Sequence, residues 1–193
     1  MAGPPRFSTE GIMDKTSIIN LALSHHGASP ISDINEGSTE ANAALVNYDA
    51  ARRSVLRDFH WSFALRLKTL ARLPDQEPGE YNYVYALPVD CLYPLRLREA
   101  HEATDFDDRN VEAFAVRGKF FYCNHENPRL EYIADVEDTS FFDPLFVEAF
   151  SYRLAAKLAM PITGTDARRQ YLMQWSASLL ERAAASSARE QRD

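Results

Sequence analysis

Any chemistry in this chain has to start from its five histidines, two cysteines and 28 carboxylates, so their spacing comes first. His25 and His26 are adjacent; on a helix they point about 100° apart and cannot share one metal ion. His60, His101 and His125 are isolated, and no pair has the H-E-x-x-H or H-x-x-x-H spacing that sets two imidazoles on one helix face. Asp105, Asp107 and Asp108 resemble the opening of a calcium loop, but the glycine and bidentate glutamate of such a loop do not follow, so they read as a solvated loop. Asp135, Glu137 and Asp138 form a second acidic run, read as a charged turn. Cys91 and Cys123 belong to no C-x-x-C pair and read as buried thiols, with a disulfide between facing strands as the alternative. Cys123 and His125 would share a strand face, a coincidence expected at a hairpin end. No G-x-S-x-G elbow and no glycine-rich phosphate loop is present. No metal or cofactor site emerges from these residues.

The basic residues show more pattern. Arg66, Lys68 and Arg72 alternate along one strand-like stretch, Arg96 and Arg98 along another, and Arg117 and Lys119 flank a turn. If those strands are neighbours, the sheet has a basic outer surface. Three readings stay open: a solvated face balanced by nearby acids, a charged subunit interface that meets acidic loops of the next copy, or direct DNA contact. The net charge of −7 argues against a chain whose main task is wrapping phosphates. It is compatible with DNA sliding past an acidic wall.

The elements that must position these residues follow from periodicity. Residues 1–12, with Pro4, Pro5, Gly3 and Gly11, read as a flexible arm or a leader ahead of Met13. Asp14 to His26 reads as a helix with Ile18, Leu21, Ala22 and His25 on one stripe, ended by Gly27. Ser38 caps a longer helix in which Ala41, Ala44, Leu45, Tyr48, Val55, Leu56 and Phe59 form the apolar face. Trp61 and Phe63 follow as a bulky plug, so Phe59, Trp61 and Phe63 are expected in the core. From Phe63 the period changes to two, and residues 63–136 read as a small antiparallel sheet with a hairpin turning at Gly118. Asp143 caps a third helix, Pro144 takes its first position, and Leu145 to Met160 is apolar enough to be buried on most sides. Pro161 and Gly164 are expected to break it. Thr165 caps the last helix, whose stripe is Leu172, Trp175 and Leu179. Past Arg182 the large apolar residues stop, so residues 183–193 are expected to fray or to wait for a partner, offering Arg182, Arg189 and Arg192 as contacts. The expected fold is α+β: a four-helix body built from residues 13–62 and 137–182, with the β sub-domain 63–136 inserted between helices 2 and 3.

This succession resembles the tail tubular protein A family, the head-to-tail adaptors of short-tailed phages. The likeness runs through Ile19 to Gly27 (I-N-L-A-L-S-H-H-G) and Pro30-Ile31-Ser32 to the helix exit Arg57 to Phe63 (R-D-F-H-W-S-F). It continues with Tyr85 to Leu92 (Y-A-L-P-V-D-C-L) and the helix Phe146 to Lys157 (F-V-E-A-F-S-Y-R-L-A-A-K), covering nearly all of residues 15–182 in order and spacing. Residues 1–12 and the segment after Arg182 have no counterpart in it. The resemblance implies a non-enzymatic virion protein, assembled in the host cytoplasm into a twelve-fold homo-oligomeric ring. Such a ring docks beneath the portal protein, continues the channel for double-stranded DNA without binding it specifically, and offers a platform for the tail nozzle, tail tubular protein B, and for tail fibres. The alternative is a peptidoglycan-degrading virion protein. That chemistry needs two carboxyls held about 5–10 Å apart with one pKa raised, and no motif selects such a pair.

Overall fold

The computed structural model describes residues 13–98, 114–164 and 166–190. The N-terminal arm 1–12, His101, the Asp105–Asp108 run and the Thr165 cap lie outside the described residues. The chain divides into a helical unit, residues 1–59 and 137–193, and a β unit, residues 60–136. The β segments lie between helices 2 and 3, and the fold is α+β.

The helical unit comprises α1 (Lys15–Ser24), α2 (Thr39–Asp58), α3 (Pro144–Thr163) and α4 (Asp166–Glu190), with a 3-10 turn at Thr139–Phe141. Short polar side chains start three of these helices by satisfying free amides. Asp14 accepts from the Ser17 amide at 2.7 Å, Ser38 from Ala41 at 3.2 Å and Asp143 from Leu145 at 2.8 Å. α3 is the central element, and α1, α2 and α4 each pack against it. Phe146, Phe150, Leu154 and Leu158 of α3 are fully buried with Ile18, Ile19 and Leu23 of α1 and Val55 and Leu56 of α2. Each such side chain contributes about 1.5–3 kcal/mol by leaving water.

Several expectations in this unit need correcting. Pro161 does not end α3, which runs on to Thr163. The proline removes only its own amide donor; Gly164, at φ +68°, returns its N–H to the Met160 carbonyl at 3.1 Å and closes the helix there. Leu45 does not join the buried face of α2 but is 52% exposed. The segment beyond Arg182 does not fray at once: α4 continues to Glu190, and Ala183 is buried. Alanine is the best helix former, and Ala183 extends the narrow line of small and apolar residues by which α4 seats on its neighbour.

Among the described residues the β unit holds a 3-10 turn (Ser62–Ala64) and seven strands: β1 (Leu65–Thr69), β2 (Ala71–Arg72), β3 (Tyr83–Ala86), β4 (Cys91–Arg98), β5 (Ala115–Arg117), β6 (Phe120–Cys123) and β7 (Arg129–Ala134). The strand expected from Phe63 begins two residues later, because Trp61 to Ala64 turns first. The single small sheet is in fact two antiparallel sheets, ordered β1-β7-β4 and β2-β3-β6-β5. The chain changes sheet at Leu70, which is buried and donates its amide to the Pro128 carbonyl at 3.1 Å. Pro94 sits in β4, an edge strand with register irregularities beside it, where a missing amide costs least. Trp61 is buried, its ring 6.2 Å from that of half-buried Phe63; Phe59, in the helical unit, is also half-buried.

Candidate interaction surface

The register of the first sheet decides where the basic residues go. β7 lies between β1 and β4, so the two basic strands are not neighbours. Arg66 and Lys68 stand opposite Tyr132 and Leu130, whereas Arg96 and Arg98 stand opposite Glu131 and Arg129. Side chains alternate faces along a strand, so the two pairs of cations fall on opposite faces of the sheet. Arg72 belongs to the other sheet, with its guanidinium over the Tyr83 ring. Glu131 accepts from Arg96 Nε at 2.8 Å and from Arg98 Nε at 2.6 Å. Burial raises the Glu131 pKa, but the hydrogen bonds and charges of the two arginines outweigh it and hold the carboxyl below its ordinary range. Arg66 donates to the Phe63 and Leu65 carbonyls. The expected basic sheet surface is therefore split, and half of it is an internal ion-pair cluster.

No disulfide joins the thiols: Cys91 is half-buried in the first sheet and Cys123 buried in the second. Burial, then the nearby Asp90 charge, pushes Cys91 up to about 11, which keeps it a thiol. Cys123 Sγ points to the His125 backbone carbonyl at 3.7 Å. Among the described residues no group of three metal-ligating side chains converges.

The helical unit contains a polar junction whose partners are far apart in sequence. Arg153 of α3 donates to Asp58 Oδ2 at 2.7 Å, to Ser54 Oγ at 2.6 Å and to Ser176 Oγ at 3.3 Å. Ser176 in turn donates to the Ala149 carbonyl at 3.1 Å. One nearly buried guanidinium thus ties α2, α3 and α4 together. Beside it a groove of about 730 Å³ runs between those helices, with Met160 and Met173 among its walls and Arg153, Lys157 and Arg169 as cations along it.

α4 itself packs by a narrow seam. Leu172, Ser176, Leu179 and Ala183 are buried, at spacings of four, three and four residues, and the residues on either side of that line are exposed or half-buried. Trp175 was expected in this core and is instead 43% exposed, as are Tyr171 at 51% and Met173 at 40%. Its indole stacks at 6.1 Å and 19° on Tyr152 of α3, and Tyr152 stacks at 4.0 Å on His25 of α1. Tyr171 meets Trp175 edge-on at 6.2 Å. Arg168, from the first turn of α4, donates to the His25 carbonyl. A cleft of about 450 Å³ lies among His25, Tyr152, Arg168 and Tyr171. The result is a ledge of stacked rings with an arginine beside it, a composition enriched at the centres of protein–protein interfaces.

Of the expected contact residues, Arg182 is exposed on α4. The Arg189 side chain and all of Arg192 lie outside the described residues. Sequence reading did not single out Tyr152, Tyr171, Met173 or the Arg153 junction. The only signal for them was an arginine inside the apolar α3 and a Tyr-Trp pair at i,i+4 on α4. No helix among the described residues is long and apolar enough to cross a membrane. Comparison with known proteins finds no family model and no curated protein that matches the chain.

Proposed function

We propose that this chain is a structural subunit of a phage head-to-tail connector. It acts as an adaptor that assembles into a twelve-fold ring beneath the portal protein, continues the DNA channel and carries the tail nozzle. The observation that carries the reading is the α4 ledge. α4 seats on α3 through one narrow seam and turns Tyr171 and Trp175 outward. A folded monomer gains nothing by exposing aromatic surface of this kind, and a subunit that must join others does. The order of sequence motifs from Ile19 to Lys157 supports the same reading, because it is the order seen in the tail tubular protein A family.

In this role no residue needs to be catalytic. The −7 charge gives the assembled ring an acidic balance, and its DNA-facing wall is expected to be net acidic, so that phosphates pass without a fixed hold. A channel lined mainly by Arg66, Lys68, Arg96 or Arg98 would contradict this. The experiment is reconstitution: purified full-length chain is added to portal rings, and occupancy is counted by native mass spectrometry. Saturation at one adaptor per portal subunit supports the reading. Clearing of a cell-wall suspension by the same preparation, lost on mutating a single carboxylate, would favour the lytic alternative instead.

A further inference from the structure

The C-terminal turn of α1 meets α3 through two imidazoles whose protons are placed by their neighbours. Ser151 Oγ lies 2.8 Å from the Glu148 carbonyl, which can only accept, and 3.1 Å from His25 Nε2; with the hydroxyl proton given to the carbonyl, His25 faces the oxygen lone pair as an Nε2–H donor. His26 Nε2 lies 2.8 Å from the Ala155 carbonyl, which can only accept, so it too is the N–H. Both rings are thus clasped as neutral Nε2–H tautomers, and the next proton must go to Nδ1. His26 Nδ1 is buried with no hydrogen-bond partner among the described residues, so protonating it creates a buried donor without an acceptor.

The charges around the pair oppose a further proton as well. From α4, the Arg168 guanidinium reaches the His25 carbonyl, and Tyr171 lines the same cleft. From α3 the rings meet Ser151, Tyr152 and Ala155, none of them a carboxylate, while Glu148 faces a different cleft with Met13, Leu21 and Phe142. From the end of α1 itself, the neighbouring His26 opposes a proton on His25.

We infer that His25 and His26 form an acid-released latch, which holds the end of α1 on α3 while neutral and frees it when protonated, loosening the ring stack that supports Trp175. The link to the ledge is direct: His25 stacks on Tyr152, Tyr152 on Trp175, and Arg168 ties α4 to the His25 backbone. Burial lowers the pKa of both rings; the His26 and Arg168 charges add to this at His25. At His26 the bond to Ala155 partly offsets burial, and Arg168 lowers it further. A folded-state pKa below the ordinary value of about 6.5 means the latch is fully closed above that pH and is lost as pH falls through the lowered values. The inference does not depend on the connector reading, since it concerns the chain alone.

The test uses the full-length chain. Ring ¹⁵N spectra recorded against pH should show two Nε2–H tautomers titrating below about 6.5. Hydrogen-exchange protection of the His26, Gly27 and Ala28 amides, which cap α1, should fall by about tenfold between roughly pH 7.5 and 5. Protection in the first turns of α4 should fall with it. A His25→Gln, His26→Gln double variant keeps an amide donor for each acceptor but does not titrate, and it should lose less than about twofold over the same range. Rings that titrate at or above 6.5, rings found as Nδ1–H tautomers, or a double variant that loses protection as the wild type does would overturn the latch. If the double variant fails to fold, the wild-type ring spectra decide the matter alone.

Discussion

The two tryptophans of this chain sit in surroundings that their sequence neighbours do not distinguish. Each is flanked by apolar residues at helix- or strand-compatible spacing, and each reads as core. Trp61 is 3% exposed and Trp175 is 43% exposed. Trp61 stands where the chain turns into the layered β unit. Trp175 stands on α4, whose main packing partner is α3. At about 100° per residue it lies some 60° around the helix from Leu172, just past the edge of the seam. A stripe at three- and four-residue spacing reports how wide the apolar arc of a helix is; it does not report how much of that arc a neighbour covers. The uncovered remainder on α4 is where the connector reading puts a partner.

The sharpest way to break this contrast is to truncate both rings. Trp61→Ala should cost about 3–5 kcal/mol, as large-to-small aromatic changes in a core do. Trp175→Ala should cost below about 1 kcal/mol in the isolated chain, because its ring is half in water already. Urea unfolding of the two variants decides it, and equal losses would erase the distinction. Next in size is Arg153→Ala. It strips the shared partner from Ser54, Asp58 and Ser176, and the expected loss is about 2–3 kcal/mol, less than for a fully buried pair because Asp58 is partly hydrated. A loss near zero would mean that α4 is held by its apolar seam alone.

Smaller effects separate the β unit from the helical one. Glu131→Gln should cost about 1 kcal/mol, since Arg96 and Arg98 keep access to water. Because the Glu131 carboxyl is held below its usual range, its stabilisation is complete above about pH 4.3 and is lost as pH falls through the lowered value. The wild type should therefore show a steeper acid limb in thermal melts than the variant; parallel limbs would place the acid sensitivity elsewhere. Truncation after Arg182 should cost the least, about 0.5–1 kcal/mol, because it removes only Ala183 from the described seam. A truncated chain that unfolds would show that the last turns of α4 are structural.

Much of the fold was readable because it rests on local chemistry. Ser38 and Asp143 mark helix starts by accepting from amides within three residues of themselves, Pro144 does so by its fixed φ and missing donor, and Gly118 marks the β5–β6 turn through a φ of +63°. Non-local pairing was not readable. Alternation tells that Arg96 and Arg98 share a face of β4, but not that β7 would slide between them and Arg66 and bring Glu131 to meet them. The Arg153 junction joins residues nearly a hundred positions apart, and no short-range pattern encodes that. The ledge failed for the reason the tryptophans illustrate: its residue types were visible, its covering was not.

The central claim is that the α4 ledge joins this chain to an assembly rather than to its own core. The direct measurement is portal-ring occupancy of a Tyr171→Ala, Trp175→Ala variant beside wild type, with circular dichroism confirming that both are folded. The account predicts a folded variant that leaves portal rings empty, or nearly so, at concentrations where the wild type fills them, since truncating an aromatic pair at an interface centre costs about 2–4 kcal/mol, some thirtyfold to nine-hundredfold in affinity. A folded variant that fills the rings as the wild type does would contradict it.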